Sequence, residues 1–185
     1  MIAPALVWFR NNFRLHENEV LQRAAKFEQV IPVYIFDDRE FSETSFGFTK
    51  TGSHRTQFLL ETVQNLYQNL GAIGSDLILR QGQPQEILNK LVSHHQVDTI
   101  FASKEVTSGE VATEKGFREN TNANLDLVWK RTLFHRDDIP YEPSSIPNVF
   151  TNFRKQCEEK SKVQECVAAP QSLPLPEINE VGKIW

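Results

Sequence analysis

Residues 5–36, ALVWFRNNFRLHENEVLQRAAKFEQVIPVYIF, contain a complete strand–helix–strand unit, and their reading decides the fold class. Ala5–Phe9 and Val30–Phe36 are nearly unbroken apolar, β-branched or aromatic runs. Short runs of this kind suit strands covered on both faces, as in a parallel sheet. Between them, Glu19–Lys26 sets Val20, Leu21, Ala24 and Ala25 on one helical face. The same alternation continues along the chain. Asp76–Arg80, Asp98–Ala102 and Leu125–Trp129 read as further strands, while Ser53–Leu70 and Pro84–His94 read as helices. Leu59, Val63, Leu66 and Leu70 form the apolar stripe of the first of these helices; Ile87, Leu88, Leu91 and Val92 form that of the second. Pro84 stands at a first helical position, Gly71 at a stop, and Thr107 with Glu110 at the spacing of a capping box. Ser108–Asn122 is the least regular helix: Gly116 falls inside it and TNAN follows, which predicts a short or broken element.

Strand–helix alternation of this kind predicts an α/β fold: a doubly wound five-stranded parallel sheet, Rossmann-like, in the order 3-2-1-4-5. Ligands of such sheets bind at the strand carboxyl ends where the order reverses, here between Phe9 and Ala102. After Trp129 the pattern changes. Six of the nine prolines lie beyond Arg131, Val149–Cys157 reads as one short helix, and Ala168–Trp185 reads as an extended C-terminal linker. The expected division is an α/β domain over 1–130 and an irregular segment with linker over 131–185, leading toward a further domain.

Composition sets limits on function. The chain has 185 residues, 39% of them apolar, with 20 Lys and Arg against 24 Asp and Glu, a net charge of −4. That mix fits one globular domain and excludes collagen, coiled coil and wholesale disorder. No apolar run approaches the ~20 residues of a membrane helix, and MIAPALVWFR lacks the plan of a signal peptide. Cys157 and Cys166 form no disulfide framework, and no His or Cys pair stands at zinc spacing. A reducing cytoplasm and no structural metal are therefore expected. The net charge argues against this chain alone wrapping a long stretch of DNA.

Familiar catalytic and phosphate motifs are missing. Arg10-Asn11-Asn12-Phe13-Arg14 follows the first strand in place of G-x-G-x-x-G. Gly47 and Gly52 mimic a P-loop, but Lys50 precedes the second glycine. There is no G-x-S-x-G elbow, and His94-His95 point about 100° apart on a helix, poor geometry for one metal. Asp37-Asp38 reads as a polar turn in preference to a ribose ligand. Polar and aromatic groups instead gather where strands end: Arg10, Asn11 and Asn12; Phe36 with Asp37 and Arg39; Phe41, Phe46 and Phe48; Lys104 and Glu105. Arg55 is predicted on the sheet-facing side of its helix. His54, Phe58, Glu61 and Asn65 share the opposite face, where spacing alone makes Glu61 a solvated residue and Phe58 hints at a cover.

These residues also carry a resemblance. Leu6-Val-Trp-Phe-Arg10-Asn-Asn-Phe-Arg14-Leu-His16-Glu-Asn18 resembles the opening of the photolyase/cryptochrome family, and Arg55-Thr-Gln-Phe58-Leu-Leu-Glu61 resembles its R-x-x-F-L-x-E helix. Lys104-Glu105-Val106, Leu133-Phe-His135-Arg-Asp137-Asp138-Ile-Pro140-Tyr and Pro147-Asn-Val-Phe150-Thr-Asn-Phe153-Arg154 resemble the DASH branch. Asn12 and Phe13 depart from that family's usual Asp and Leu. The resemblance implies an N-terminal domain that holds an antenna chromophore, methenyltetrahydrofolate in the DASH branch, for FAD in a helical domain of the same parent chain. The parent would use blue or near-ultraviolet light to split cyclobutane pyrimidine dimers in damaged DNA, with single-stranded DNA preferred, while this portion does no catalysis and is monomeric. For the folate, the resemblance points to Glu61 and Glu105 as carboxylates, Glu61 ahead, with Glu110 as an outside candidate and Asn11 beside them. Phe36 and Phe46 would be walls, and Arg10, Arg55, Lys50 or Lys104 would face the anionic tail. A free-standing α/β nucleotide-binding protein and a blue-light signalling cryptochrome are the alternatives.

Overall fold

A computed structural model describes residues 3–129 and 132–178. Its elements are β1 (Ala5–Phe9), α1 (Glu19–Ala24), β2 (Val30–Phe36), α2 (Asp38–Phe41), α3 (Ser53–Ala72), β3 (Ile78–Gln81), α4 (Pro84–His95), β4 (Thr99–Ser103), α5 (Ser108–Glu119), β5 (Asn124–Val128) and α6 (Phe150–Lys160). All strand pairs are parallel and the order is β3-β2-β1-β4-β5, as the sequence predicts. Leu6 of β1 lies opposite Ile31 of β2 and Ile100 of β4, so the central strand is apolar on both faces. Ala5, Val7 and Phe9 face a core with Leu21 of α1 and Val63, Leu66 and Leu70 of α3. Leu6 and Trp8 face the other core, with Leu88 and Leu91 of α4 and Phe117 of α5. Alternate residues of each strand feed opposite layers because strand side chains alternate.

Local chemistry sets the loop that leaves β1. Asn18 is buried, and its side-chain oxygen caps α1 by accepting from the Leu21 amide at 3.3 Å. Its amide donates to the Arg14 carbonyl at 2.8 Å, while Asn12 donates to its oxygen at 3.2 Å. Asn12 thus fits an amide pair.

Three expectations need correction. The helix expected to be short or broken at Gly116 runs through it to Glu119. Glycine there leaves room for Gln85 of α4, whose amide nitrogen would lie 2.4 Å from a Cβ and which donates to the Thr113 carbonyl. The expected capping box is not formed: Thr107 makes no side-chain cap bond and its hydroxyl donates to Glu110 at 2.6 Å. The strand expected over Asp76–Arg80 begins at Ile78, because the Leu77 amide is taken by the Asp76 side chain at 2.7 Å.

The expected linker lacks regular structure over 161–178, yet it is tied to the domain. Val167 exchanges hydrogen bonds with Glu17: its amide donates to Glu17 Oε1 at 2.6 Å and its carbonyl accepts from the Glu17 amide at 2.7 Å. Farther on, the Leu173 amide donates to the Ile73 carbonyl and the Pro174 carbonyl accepts from the Val30 amide. Leu173 is fully buried in the α1–α3 core. This strap therefore passes from the β1–α1 loop toward the amino end of β2, the edge opposite the strand carboxyl ends. Leu173→Ala is expected to cost about 3 kcal/mol, as for a buried Leu that leaves a cavity. Urea unfolding of the chain measures this, and an unchanged midpoint would show that the strap is not part of the folding unit. Residues 179–185, the end of the expected linker, lie outside the described residues.

Candidate functional site

The sheet's topological switch point, between the carboxyl ends of β1 and β4, is packed with charged side chains. Glu105, just past β4, is fully buried. Its Oε1 accepts from the Ser103 hydroxyl at 3.1 Å and from the Asn11 amide at 3.3 Å. The same Asn11 nitrogen donates to Glu110 on α5, also at 3.3 Å, and Asn11 itself is exposed. Glu114, one turn farther along α5, receives Arg10 Nη1 at 2.6 Å, Lys104 Nζ at 2.6 Å and the Glu105 backbone amide at 3.3 Å. Arg10 also donates to the Ser103 carbonyl and lies over the Trp8 ring, 4.5 Å from its centroid.

Four of the residues singled out from sequence thus meet: Arg10, Asn11, Lys104 and Glu105, with Glu110 at their rim. Arg10 and Lys104 are directed inward to Glu114 and not outward to a ligand. Glu114 itself is absent from the sequence reading. Its signal was a carboxylate three residues before the apolar Phe117 on one helical stripe, where charge is normally excluded.

The remaining candidates lie elsewhere. Phe36 is half-buried on the α1–α3 side, edge-on to Tyr34 at 4.9 Å and near Phe41 at 6.5 Å. Glu61 is exposed on α3 and accepts from Gln57 at 3.0 Å, as a solvated helix face would. Arg55, expected over the strand ends, is exposed and makes no hydrogen bond or ion pair among the described residues. Phe46 is 83% exposed and stacks on Phe48 in the loop before α3. Lys50 pairs with Glu40 at 2.5 Å. Asp37 caps α2 and pairs with Arg39, and Asp38 accepts from Gln81, so this is the polar turn expected. Arg39 reaches across to the Thr113 hydroxyl at 3.0 Å, joining the β2 end to α5. Burial, reinforced by Glu40 and Asp37, pushes the hydroxyl of the core residue Tyr34 well above its usual range. No group of His, Cys, Asp and Glu fit to hold a metal occurs among the described residues.

A cleft of about 310 Å³ lies between α1, β5 and the segment after it, lined in part by Arg23, Lys104, Trp129 and His135. Its arginines and lysine are already matched: Arg23 by Glu19 and Asp126, Lys104 by Glu114, Arg136 by Asp137.

Residues 5–177 match the DNA photolyase family. The chain belongs to that family. Cryptochrome DASH of Gloeobacter violaceus is 40% identical over 179 residues, covering 94% of this chain and 36% of that protein. The chloroplastic/mitochondrial Cryptochrome DASH of Solanum lycopersicum is 38% identical over 202 residues, covering 97% and 35%. The Synechocystis cryptochrome structure superposes with a TM-score of 0.91 at 35% identity, over 97% of this chain and 39% of that one. A class III photolyase from Agrobacterium tumefaciens, 24% identical, shares the fold with a TM-score of 0.84. The chain spans about a third of the length of the curated relatives it matches. Among the described residues no helix is long and apolar enough to cross a membrane.

Proposed function

We propose that this chain is the antenna-chromophore domain of a DASH-type cryptochrome or photolyase, and that it holds methenyltetrahydrofolate for an FAD carried by a helical domain of the parent protein. The observation that carries this is the buried Glu105 carboxylate beneath Asn11, at the switch point of a DASH-like chain. A pterin presents N–H donors beside a carbonyl, and its glutamate tail is anionic, so the pocket needs a carboxylate, an amide and a cation. Glu105 and Asn11 supply the first two, and the donor set fits. Arg10 and Lys104 are bound to Glu114, so the cation for the tail falls to surface from the parent protein.

When bound, the folate supplies near-ultraviolet absorption and passes the excitation to the flavin. The protein's part is to orient the ring and to exclude water. Asn11 donates to the fully buried Glu105 in this chain, so a ligand reaches that carboxylate only after a local rearrangement. Surface from the parent protein would complete the site. The isolated chain is accordingly expected to bind the folate no tighter than about 10 μM, roughly 7 kcal/mol. Repair of pyrimidine dimers, with the damaged bases flipped out of the stack, belongs to the parent protein and its helical domain. The chain itself is a monomeric, non-catalytic module. A reducing, cytoplasmic setting accords with a chain that has only two cysteines.

The absorption spectrum of the full-length parent tests this reading. A near-ultraviolet folate band over a flavin envelope is expected, and Glu105→Gln should abolish the former while leaving the latter. Retention of the full folate band in that variant defeats the assignment.

A further inference from the structure

We propose that residues 132–167 are a lid over the α1–β5 face, latched on Glu17, that opens while the rest of the domain stays folded; the inference does not rest on the antenna reading. Glu17 has a φ of 53°, a left-handed conformation that few residues other than glycine, asparagine and aspartate adopt. Such a conformation persists only where its surroundings over-determine it, and it collects at elements that switch. Val167 supplies those surroundings. The Glu17 amide donates to the Val167 carbonyl at 2.7 Å, and the Val167 amide donates to Glu17 Oε1 at 2.6 Å. Arg14 adds a longer bond, 3.5 Å, to the Glu17 carbonyl.

What the latch holds is thinly packed. From Thr132 to Val167 one described side chain is buried, Cys157 of α6. The turns at Arg136–Asp138 and Pro143–Ser145 bury none. Gln164 donates to Asp138 at 2.9 Å, which closes the segment on itself. Beneath it lie two clefts. One is the 310 Å³ cleft described above; the other, of about 230 Å³, separates Arg14 and Glu17 of the β1–α1 loop from Val163 and Gln164 of the returning chain. Trp129 and His135 line both. A segment undercut in this way has few apolar contacts to lose, so it opens at a lower free energy than the core. Its two ends are held fast. Val128 is buried at the end of β5, its carbonyl accepting from the Lys104 amide at 2.8 Å, and Leu173 is sealed in the α1–α3 core. Lys104 also links the lid to the switch point, since it lines the larger cleft and its amine bonds Glu114 at 2.6 Å.

The test compares amide exchange, read by NMR, in the 185-residue chain and its Glu17→Ala, Glu17→Gly and Leu173→Ala variants. Glu17→Gly removes the carboxylate but accepts the left-handed backbone without strain, so it separates the lost bond from the lost conformation. Leu173→Ala weakens the core itself and sets the pattern of a global opening. In Glu17→Ala the Val167 amide is expected to exchange about tenfold faster, the loss of a hydrogen bond to a charged group. The Trp129 indole resonance should shift, and trypsin should cut faster after Lys160 or Lys162. The Val30 and Leu173 amides should keep their wild-type rates, and Glu17→Gly should show a smaller effect of the same kind. Unchanged Val167 exchange in both Glu17 variants overturns the latch. Val30 and Leu173 amides that speed up with Val167, as in Leu173→Ala, show that strap and core open as one unit and overturn the lid. A Trp129 resonance that stays in place confines the opening to Val167 and overturns it as well.

Discussion

Arg10→Met is expected to lower the unfolding free energy of the chain by about 3–5 kcal/mol. The substitution keeps most of the side chain's volume but leaves Glu114 buried with Lys104 as its remaining charged partner. It also removes a donor from the Ser103 carbonyl and a cation from the Trp8 face. The size of the effect comes from the uncompensated carboxylate, not from the worth of the pair. Removing both charges should therefore be far milder than removing one. Arg10→Met/Glu114→Leu is expected to recover most of the loss, with Lys104 free to turn to solvent. Urea unfolding at fixed slope measures both variants. A single-variant loss below about 1 kcal/mol would mean that water reaches this pair and that the clamp is a surface ion pair.

Phe117→Ala is expected to cost a similar 3–5 kcal/mol, a large share of the 5–15 kcal/mol typical of a domain. Phe117 is fully buried on α5, in the core that includes Trp8, Leu88 and Ile100. Its loss opens a cavity beneath the helix that carries Glu110 and Glu114, so the switch point should loosen as well. Phe58→Ala is the contrast. Phe58 is 69% exposed on α3, and its replacement should change stability by no more than about 0.5 kcal/mol. Equal effects from the two phenylalanines would contradict the layer assignment of α5. Selective loss of function in the parent with Phe58→Ala would instead indicate that this face is covered there.

Much of this architecture was legible before any coordinates. β1 and β2 have the bounds that their apolar runs predict, because Arg10 and Asp37 end those runs. The strand order is the common one for a doubly wound sheet, which the alternation of strands and helices leads one to expect. The position of Glu105 was legible too, as the first carboxylate past β4. The asparagine cap at Asn18 and the continuation of α5 through Gly116 were not. The first depends on amide partners at Asn12 and Arg14, the second on the Gln85 side chain of another helix.

Periodicity and composition determined the five strands, the layering of their helices and the place where a ligand would meet the sheet, since a residue's alternation between faces is a local property of the backbone. Tertiary structure alone decided that Arg10 turns inward to a carboxylate 104 positions away, that Asn11 donates to Glu105, and that a proline-rich tail returns to seat Leu173 in the core. Those outcomes depend on how distant segments pack. A charge or a leucine carries no mark in its own neighbourhood of the partner that will bury it.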